Sequence, residues 1–419
     1  MLRAVFFVFS LLLLIALLLN GVAANAATAE LRIEMLEVPA AARSQSPNLA
    51  VRDGTVVLSW IENSGEAHRL RFSSLDGNRW TEPREVSSGD NWFVNWADFP
   101  SVVPISGSLW AAHWLVQQPA GGYAYDVYFT VSTDRGATWA DPVLPHDDGT
   151  PTEHGFVTLY PQGDGVGLIW LDGRNMVNVS HGETHHGGST DNGMTLRSAV
   201  YGDDLALRGT TQVDGLVCDC CQTDVTITDE GALAVYRDRS ESETRDIYVS
   251  GFRNGSWQPG KAVADDGWVI GGCPVNGPTI AAEGKRVAVA WFTAAHDRPH
   301  VRIARSADAG KTFAAPIEIA DDNTWGRTGI ALLPDGRVAI SYLCKDADSR
   351  ASVCLRAVSA DDTLGPIHVI SAAQDVPAMS VPQLALLDER LIVAWTARSA
   401  GMLTVQSAAI GVDSLYATE

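Results

Sequence analysis

The sequence is poor in positive charge and, beyond its first residues, in long apolar runs. Its 419 residues carry 30 Lys and Arg against 50 Asp and Glu, a formal charge of −20 at pH 7. So acidic a surface repels phosphate backbones and anionic lipids, which excludes nucleic acid and membrane surfaces as partners. No later segment approaches the roughly 18 apolar residues of a membrane span. Hydrophobic residues still make up 46% of the chain, so it is globular and not disordered.

The long apolar run lies at the N-terminus, from Ala4 to Leu19, directly after Arg3. It is followed by Ala24-Asn25-Ala26, a small-residue site of the kind that signal peptidase cleaves. This order predicts a signal peptide over residues 1–26 and a single exported domain over residues 27–419, periplasmic or extracellular. An uncleaved membrane anchor is the alternative.

A repeat of about fifty residues runs through the rest of the chain, and a period of this size is typical of propellers and solenoids. Each unit has a polar lead-in, a short strand, a glycine turn and a strand that ends in Trp or Tyr. The first strands begin near Pro47, Pro100, Gly155, Thr223, Asn276, Thr328 and Pro382. No Pro/Ser-rich linker interrupts the spacing, as two separate β-sandwiches would require.

Seven such units, each with room for four strands, predict an all-β fold, a single β-propeller with seven blades or, as the alternative, six. The last unit supplies only three strands, so we expect the run Leu31–Val38 to be the fourth. Such a clasp closes the ring and removes its exposed edges.

A turn signature recurs between third and fourth strands. The clean copies read Ser132-Thr133-Asp134-Arg135-Gly136-Ala137-Thr138-Trp139 and Ser306-Ala307-Asp308-Ala309-Gly310-Lys311-Thr312-Phe313, with a worn copy at residues 73–80. The Asp can accept amide hydrogen bonds within its turn, the Gly allows positive φ, and the aromatic residue holds the turn to its blade. This form resembles the Asp-box, or bacterial neuraminidase repeat, of sialidase-like propellers, and the resemblance spans essentially the whole mature chain.

The resemblance implies a polar ligand pocket on the face opposite these turns, where first strands begin. Sialidases hold a sugar carboxylate with three arginines and use a Tyr nucleophile with Glu and an Asp acid/base. On this face the candidates are Asp98, Glu153 and Asp224 as acids or bases, and Arg174, Arg237 and Arg327 as the anion clamp. The Arg-Ile-Pro element of sialidases is absent, since residues 44–47 read Ser-Gln-Ser-Pro, and sialidases typically have six blades.

Cysteines cluster at the starts of units four and five. Cys218, Cys220 and Cys221 precede one inner strand and Cys273 the next, with His154 in the matching lead-in of unit three. Disulfides between neighbouring blades are expected in an exported protein. A copper or zinc site made by Cys218, Cys220, Cys221, Cys273 and His154 is the alternative, and a catalytic thiol is a third reading.

Two further features are expected from the spacing. Cys344 and Cys354 flank a hairpin loop, which predicts a disulfide across it. An insertion at residues 175–194 places His181, His185 and His186 above the pocket, as a lid, a source of metal ligands or a solvated loop.

Three function hypotheses follow. The first is a carbohydrate-directed propeller, either a sialidase-like glycoside hydrolase or a glycan binder that takes a polar small-molecule ligand. The second is a periplasmic copper- or zinc-binding protein, and the third is an interaction scaffold.

Overall fold

The computed structural model describes residues 31–177, 192–372 and 375–416. Seven small antiparallel sheets succeed one another along the chain and form a ring around a central axis. The predicted seven-bladed β-propeller is therefore confirmed. The predicted signal peptide lies outside the described residues.

In each blade the first strand is innermost. The inner strands are Ser44–Arg52, Ser101–Ser106, His154–Gln162, Asp224–Thr228, Thr279–Glu283, Thr324–Leu332 and Gln383–Leu387. The second strands are Thr55–Ser64, Leu109–Gln117, Gly165–Asp172, Gly231–Arg237, Arg286–Thr293, Val338–Lys345 and Arg390–Ser399.

The third strands are Ala67–Asp76, Tyr125–Ser132, Thr195–Tyr201, Ile247–Arg253, His300–Ser306, Ala351–Val358 and Met402–Gly411. The outermost strands are Arg84–Gly89, Leu207–Asp214, Lys261–Ala262, Ile317–Asp321, Leu364–Val369 and, in the last blade, Ile33–Leu36, with the two-residue strands Arg79–Trp80 and Ser256–Trp257 beside the first and fourth blades. Blade two has an isolated bridge from Phe129 to Val143 at this position. Short 3-10 helices occupy Arg174–Met176, Ala295–Asp297 and Val412–Ser414.

Second strands are buried on both faces because each sheet is covered by its two neighbours, which explains their continuous apolar sequence. Trp60, Trp170, Trp291 and Trp395 lie in the second strands of blades one, three, five and seven and are at most 1% exposed. Trp60 belongs to one apolar cluster with Ile392 of blade seven, and Trp170 belongs to one with residues of blade two. The apolar core is therefore a series of blade-to-blade contacts around the ring.

The predicted clasp is confirmed, although it is shorter than the run from which it was inferred. Ile33–Leu36 pairs antiparallel with the third strand of the last blade, with Ile33 opposite Ile410 and Leu36 opposite Ser407. The last blade is thus built from both ends of the described part of the chain, and its edge is covered.

The S-x-D-x-G-x-T turns lie at the end of the ring opposite the starts of the inner strands. Asp134 accepts hydrogen bonds from the amide and hydroxyl of Thr138 at 2.8 and 2.6 Å, and Ser132 accepts one from the amide of Gly136 at 2.7 Å. These hydrogen bonds lower the pKa of Asp134 to about 2. The turn joins the first hairpin of its blade through the Arg135 amide, which donates to Ser108.

The predicted bridge between Cys344 and Cys354 is present, with their Cα atoms 5.8 Å apart. The expected disulfide between neighbouring blades is also present and joins Cys220 of blade four to Cys273 of blade five. No helix in the described part of the chain has the length and apolar character needed to cross a membrane.

Candidate functional site

An axial cavity of about 480 Å³ is lined by the inner strands of all seven blades. Its wall includes Asp98, Gln222, Asp224 and Arg327, which come from blades two, four and six. This size is in the range of small-ligand pockets. Three of the predicted site residues therefore line one cavity, and the starts of their inner strands place them there.

Asp98 precedes the inner strand of blade two and Asp224 begins that of blade four, and each carboxylate holds the inner strand of the next blade. Asp98 accepts a hydrogen bond from the amide of Phe156 at 2.8 Å, and Asp224 accepts one from the amide of Ile280 at 2.9 Å. Burial raises the pKa of each carboxyl to about 7, despite these hydrogen bonds. The two residues thus join neighbouring blades and also present protonatable oxygen atoms at the cavity.

Glu153 is connected to Asp98 through the hydroxyl of Tyr125. This hydroxyl lies 2.7 Å from Oδ2 of Asp98 and 2.9 Å from Oε1 of Glu153. A phenol has one proton and can donate to only one of the two carboxylates. The other carboxyl must carry a proton of its own and donate to the Tyr125 oxygen, and burial accordingly raises the pKa of Glu153 to about 8.

Tyr125 was not among the candidates from sequence, because in a third strand it has the appearance of a packing aromatic. It is fully buried and stacks on Phe93 with ring centroids 4.0 Å apart. The hydroxyl therefore faces the two carboxyls, and the ring does not line the cavity.

Two of the three candidate arginines are already engaged within the protein. Arg237 is 2% exposed and donates to the backbone carbonyls of Asn276, Phe292 and Arg245 at 2.6–3.1 Å. Arg174 donates to Asp172 at 2.6 Å and pairs with Asp148 at 3.1 Å. Each guanidinium is used to hold loops of its own or a neighbouring blade.

Arg327 is differently placed. Its Nη1 donates to the carbonyl of Val275 at 2.5 Å, and its guanidinium lies 4.7 Å from the ring centroid of Trp96. Its Nε is buried and has no hydrogen-bond partner. Burial lowers the pKa of Arg327 to about 10, so the group stays cationic at neutral pH. It therefore brings a positive charge to the cavity wall.

Gln222 bridges three blades at the same end of the cavity. Its Nε2 donates to the carbonyl of Ala97 at 2.6 Å, and its Oε1 accepts from the amide of Gly277 at 3.1 Å. Gly277 fits because a Cβ at this position would overlap the backbone of Gln222. Gln222 thereby fixes the separation of the strands that carry Asp98 and Asp224.

The cysteine cluster contains two kinds of sulfur. Cys220 and Cys273 are bonded to each other, whereas Cys218 and Cys221 are free and buried, with their sulfur atoms 3.0 Å apart. The sulfur atoms of Cys218, Cys220 and Cys273 all lie within 4.8 Å of one another. The four cysteines predicted to meet therefore do so.

His154, the fifth residue of the predicted metal set, groups with other residues. Its ring stacks on His146 with centroids 3.9 Å apart, and its Nε2 lies 3.1 Å from Asp148 and 4.0 Å from Asp172. Burial lowers the pKa of His154, but the Asp148 hydrogen bond and the charge of Asp172 outweigh it and give a net rise. Its ring nitrogen atoms thus join carboxylates and a second imidazole, not the sulfur atoms.

The predicted histidines of the insertion, His181, His185 and His186, lie outside the described residues. His146 was not predicted, because it follows the third strand of blade two in a loop with no distinguishing pattern. Burial lowers its pKa to about 3, so it is the neutral member of the stacked pair.

The chain is similar in fold to several solved propellers, at low sequence identity. No protein-family model and no curated protein matches the sequence. An endosialidase of phage phi92 shares 10% identity at a TM-score of 0.48, covering 91% of this chain and 69% of that chain. A Trypanosoma rangeli sialidase shares 11% at a TM-score of 0.45, covering 80% and 56%. An α-L-arabinanase of Penicillium chrysogenum shares 14% at a TM-score of 0.45, covering 80% and 99%.

These likenesses concern the fold, and the seven sheets of the chain show that fold directly. The described sheets make the chain a seven-bladed β-propeller, which is the fold that the sequence resemblance implies.

Proposed function

We propose that this chain is an exported, carbohydrate-directed propeller that binds an anionic sugar in its axial cavity. The observation that carries the proposal is Arg327, a half-buried cationic side chain in the cavity wall. A guanidinium suits a carboxylate, because it can combine its positive charge with paired hydrogen bonds to the two oxygen atoms.

The carboxyls of the cavity supply the polar contacts that fix a sugar in place. Asp98 and Asp224 line the cavity on blades two and four, and burial raises both pKa values to about 7. A carboxyl that holds its proton near neutral pH can donate to a sugar oxygen, and it can also act as the general acid of a glycosidase. Glu153 acts on the cavity through Tyr125 and Asp98, so it is a positioning residue.

Binding is better supported than hydrolysis by a tyrosine nucleophile. Tyr125 is fully buried and does not line the cavity, and its hydroxyl is occupied between Asp98 and Glu153. Arg174 and Arg237 are engaged elsewhere, so the proposed anion site uses Arg327 alone. Sialidase and arabinanase are among the names of the similar solved propellers, and a carbohydrate is the ligand class that we propose for this cavity.

The test is titration calorimetry of the mature protein with glucuronic acid, galacturonic acid and N-acetylneuraminic acid, with galactose and arabinose as neutral sugars. Arg327→Met removes the positive charge and keeps an aliphatic side chain. The variant should weaken the binding of acidic sugars by about 1.5–3 kcal/mol, roughly 10- to 150-fold in Kd. Arg350→Gln is the matched control, because the Arg350 side chain is 74% exposed and, among the described residues, pairs with Asp346 and Asp348.

Acidic sugars that bind Arg327→Met as well as they bind the wild type would contradict the proposed anion site. Release of product from a matching glycoside panel, lost in Asp98→Asn, would make the protein a hydrolase. Binding without turnover would make it a glycan-binding protein. Failure of every sugar to bind would remove the proposal.

Soft-metal binding is the second candidate, and the free sulfur atoms of Cys218 and Cys221 favour it. Two thiolates suit copper(I) or zinc better than any other pair of side chains in this region. Against it, the guanidinium of Arg245 lies 3.5 Å from Cys218 Sγ and would repel a cation. Copper or zinc retained in stoichiometric amount after dialysis, and lost in Cys218→Ser, would establish a metal site.

Export is proposed from the N-terminal sequence and agrees with the sulfur chemistry. Two disulfides are expected of a protein from an oxidising compartment, periplasmic or extracellular.

A further inference from the structure

The four clustered cysteines form two pairs that differ in access to solvent. Cys218 and Cys221 are 1% and 2% exposed and are free thiols. The disulfide beside them is reachable from outside, because Cys273 is exposed and Cys220 is half-buried. A disulfide that only joins two blades needs no free dithiol beside it, so a chemical role explains this arrangement better.

Cys218 connects the two pairs. Its Sγ is 3.0 Å from Sγ of Cys221 and within 4.8 Å of both sulfur atoms of the disulfide. Thiol–disulfide exchange requires a thiolate within reach of a disulfide sulfur. Sγ of Cys218 is therefore within reach both of Cys221 and of the Cys220–Cys273 disulfide.

The surroundings favour a thiolate within the buried pair. The guanidinium of Arg245 lies 3.5 Å from Sγ of Cys218, and its positive charge stabilises a thiolate at that sulfur atom. Sγ of Cys221, 3.0 Å away, can accept the proton of Cys218, which leaves a thiolate on Cys218. Glu243 and Asp219 also lie in this region, the first paired with Arg245 at 2.9 Å.

We infer that these cysteines form an internal thiol–disulfide relay, in which the exposed Cys220–Cys273 bond and the buried Cys218/Cys221 dithiol exchange two electrons. The Cys218 thiolate attacks Sγ of Cys273, so a Cys218–Cys273 bond forms, the Cys220–Cys273 bond breaks, and Cys220 leaves as a thiolate that takes up a proton. The proton that Cys220 takes up comes from Cys221 by way of solvent, and the Cys221 thiolate then attacks Sγ of Cys218. A Cys218–Cys221 bond forms, the Cys218–Cys273 bond breaks, and Cys273 leaves as a thiolate.

The net internal reaction converts one disulfide and two thiols into one disulfide and two thiols, so it needs no oxidant. Exchange with the outside takes place at the exposed pair. A disulfide compound oxidises the Cys220 and Cys273 thiols and is itself reduced to two thiols. After both steps the protein holds Cys218–Cys221 as well as Cys220–Cys273. The relay thus lets a solvent disulfide oxidise thiols that it cannot itself reach.

The first experiment maps disulfides in protein that carries two free thiols per chain, prepared with limiting dithiothreitol if it is isolated with fewer. After hours at pH 8, the sample is quenched in acid, denatured, alkylated and digested for mass spectrometry. We expect Cys220–Cys273 and Cys218–Cys221 in the same wild-type preparation. In Cys221→Ser the second step is blocked, so Cys218–Cys273 should accumulate with Cys220 free.

The second experiment follows loss of thiols in oxidised glutathione. Wild-type protein should lose both buried thiols. In Cys220→Ser/Cys273→Ser we expect this loss to be slower by about tenfold or more, because the exposed disulfide through which oxidation enters is gone. Cys344→Ser/Cys354→Ser removes the remote hairpin bridge and should react as the wild type does.

Equal rates in wild type and Cys220→Ser/Cys273→Ser would show direct oxidation and overturn the relay. If Cys220–Cys273 is the sole pairing of the cluster in both the wild type and Cys221→Ser, the relay is wrong. The disulfide is then purely structural, and the buried thiols beside it are unreactive. The mapping of Cys221→Ser decides the question even if the variant without the inter-blade bridge does not fold.

Discussion

Replacing Glu153 with glutamine tests whether the cluster of Asp98, Tyr125 and Glu153 holds an extra proton. In the wild type one phenolic proton is shared between two carboxyls at 2.7 and 2.9 Å, so one carboxyl must be protonated. The substituted glutamine would keep the shape of the side chain, and its amide nitrogen could donate to the Tyr125 oxygen. The variant then satisfies all three groups without a bound proton.

The size of the effect follows from the pKa of Glu153, which burial raises from 4.5 to about 8. A carboxyl with a higher pKa in the folded state binds its proton more tightly there. Its contribution to stability is therefore complete below pH 4.5 and is lost as the pH rises through 8. One proton changes the free energy of unfolding by about 1.4 kcal/mol per pH unit, so the loss from pH 5 to pH 8 is of the order of 4 kcal/mol.

The assay is urea unfolding of the wild type and Glu153→Gln at pH 5, 6, 7 and 8. We expect the wild type to lose stability toward pH 8 and the variant to lose less, by as much as about 4 kcal/mol over this range. Glu82→Gln is the matched control, because Glu82 is exposed and should leave the wild-type profile unchanged. Parallel profiles for the wild type and Glu153→Gln would refute the shared-proton cluster.

Three further predictions concern the fold and its processing. Deletion of residues 27–40 should abolish cooperative thermal unfolding, because Ile33–Leu36 closes the ring; a truncated protein that melts like the full-length chain would refute the clasp. Gly136→Ala should cost about 1–3 kcal/mol more in urea unfolding than Gly54→Ala. The two glycines share a φ near +70°, but only at Gly136 does a Cβ meet a neighbour, the ring of Phe72 at 2.7 Å. N-terminal sequencing of the exported protein should begin at Ala27, and an intact residue 1 would indicate an uncleaved anchor.

The fold could be predicted in detail because each repeat unit contains the same short local sequence patterns. A strand ending in Trp or Tyr recurs in each unit. Such an aromatic side chain must be buried against the neighbouring blade, as Trp60 and Trp170 are. The clasp followed from counting strands in the last unit, where one was missing. Both inferences depend on local sequence and on the need to cover every edge.

The site was predicted only as a set of residues on one face. Asp98 and Asp224 were expected there, but their hydrogen bonds to Phe156 and Ile280 depend on the register between blades, which no local pattern encodes. Tyr125 could not be found without knowing that its hydroxyl reaches two lead-in segments.

The sulfur cluster shows the same limit at the level of single residues. Sequence indicated that blades four and five would be joined, but any of three cysteines in the first cluster could have reached Cys273. The turn around Asp219 directs Cys220 to the bridge and leaves Cys218 and Cys221 facing each other. Adjacent residues point in different directions here, as they do in blade three: the charge of Cys218 helps raise the pKa of Glu153, whereas His154 stacks on His146.

The clasp also sets the order in which the molecule can fold. Most blades are assembled from strands adjacent along the chain, whereas the last blade pairs Ile33 with Ile410, a separation of 377 residues. Closing a flexible loop of that length costs about 5 kcal/mol of chain entropy, and local hairpins incur far less. Ring closure is therefore expected to be the slow step, reached from an open fan of blades whose two terminal flanks still expose apolar side chains.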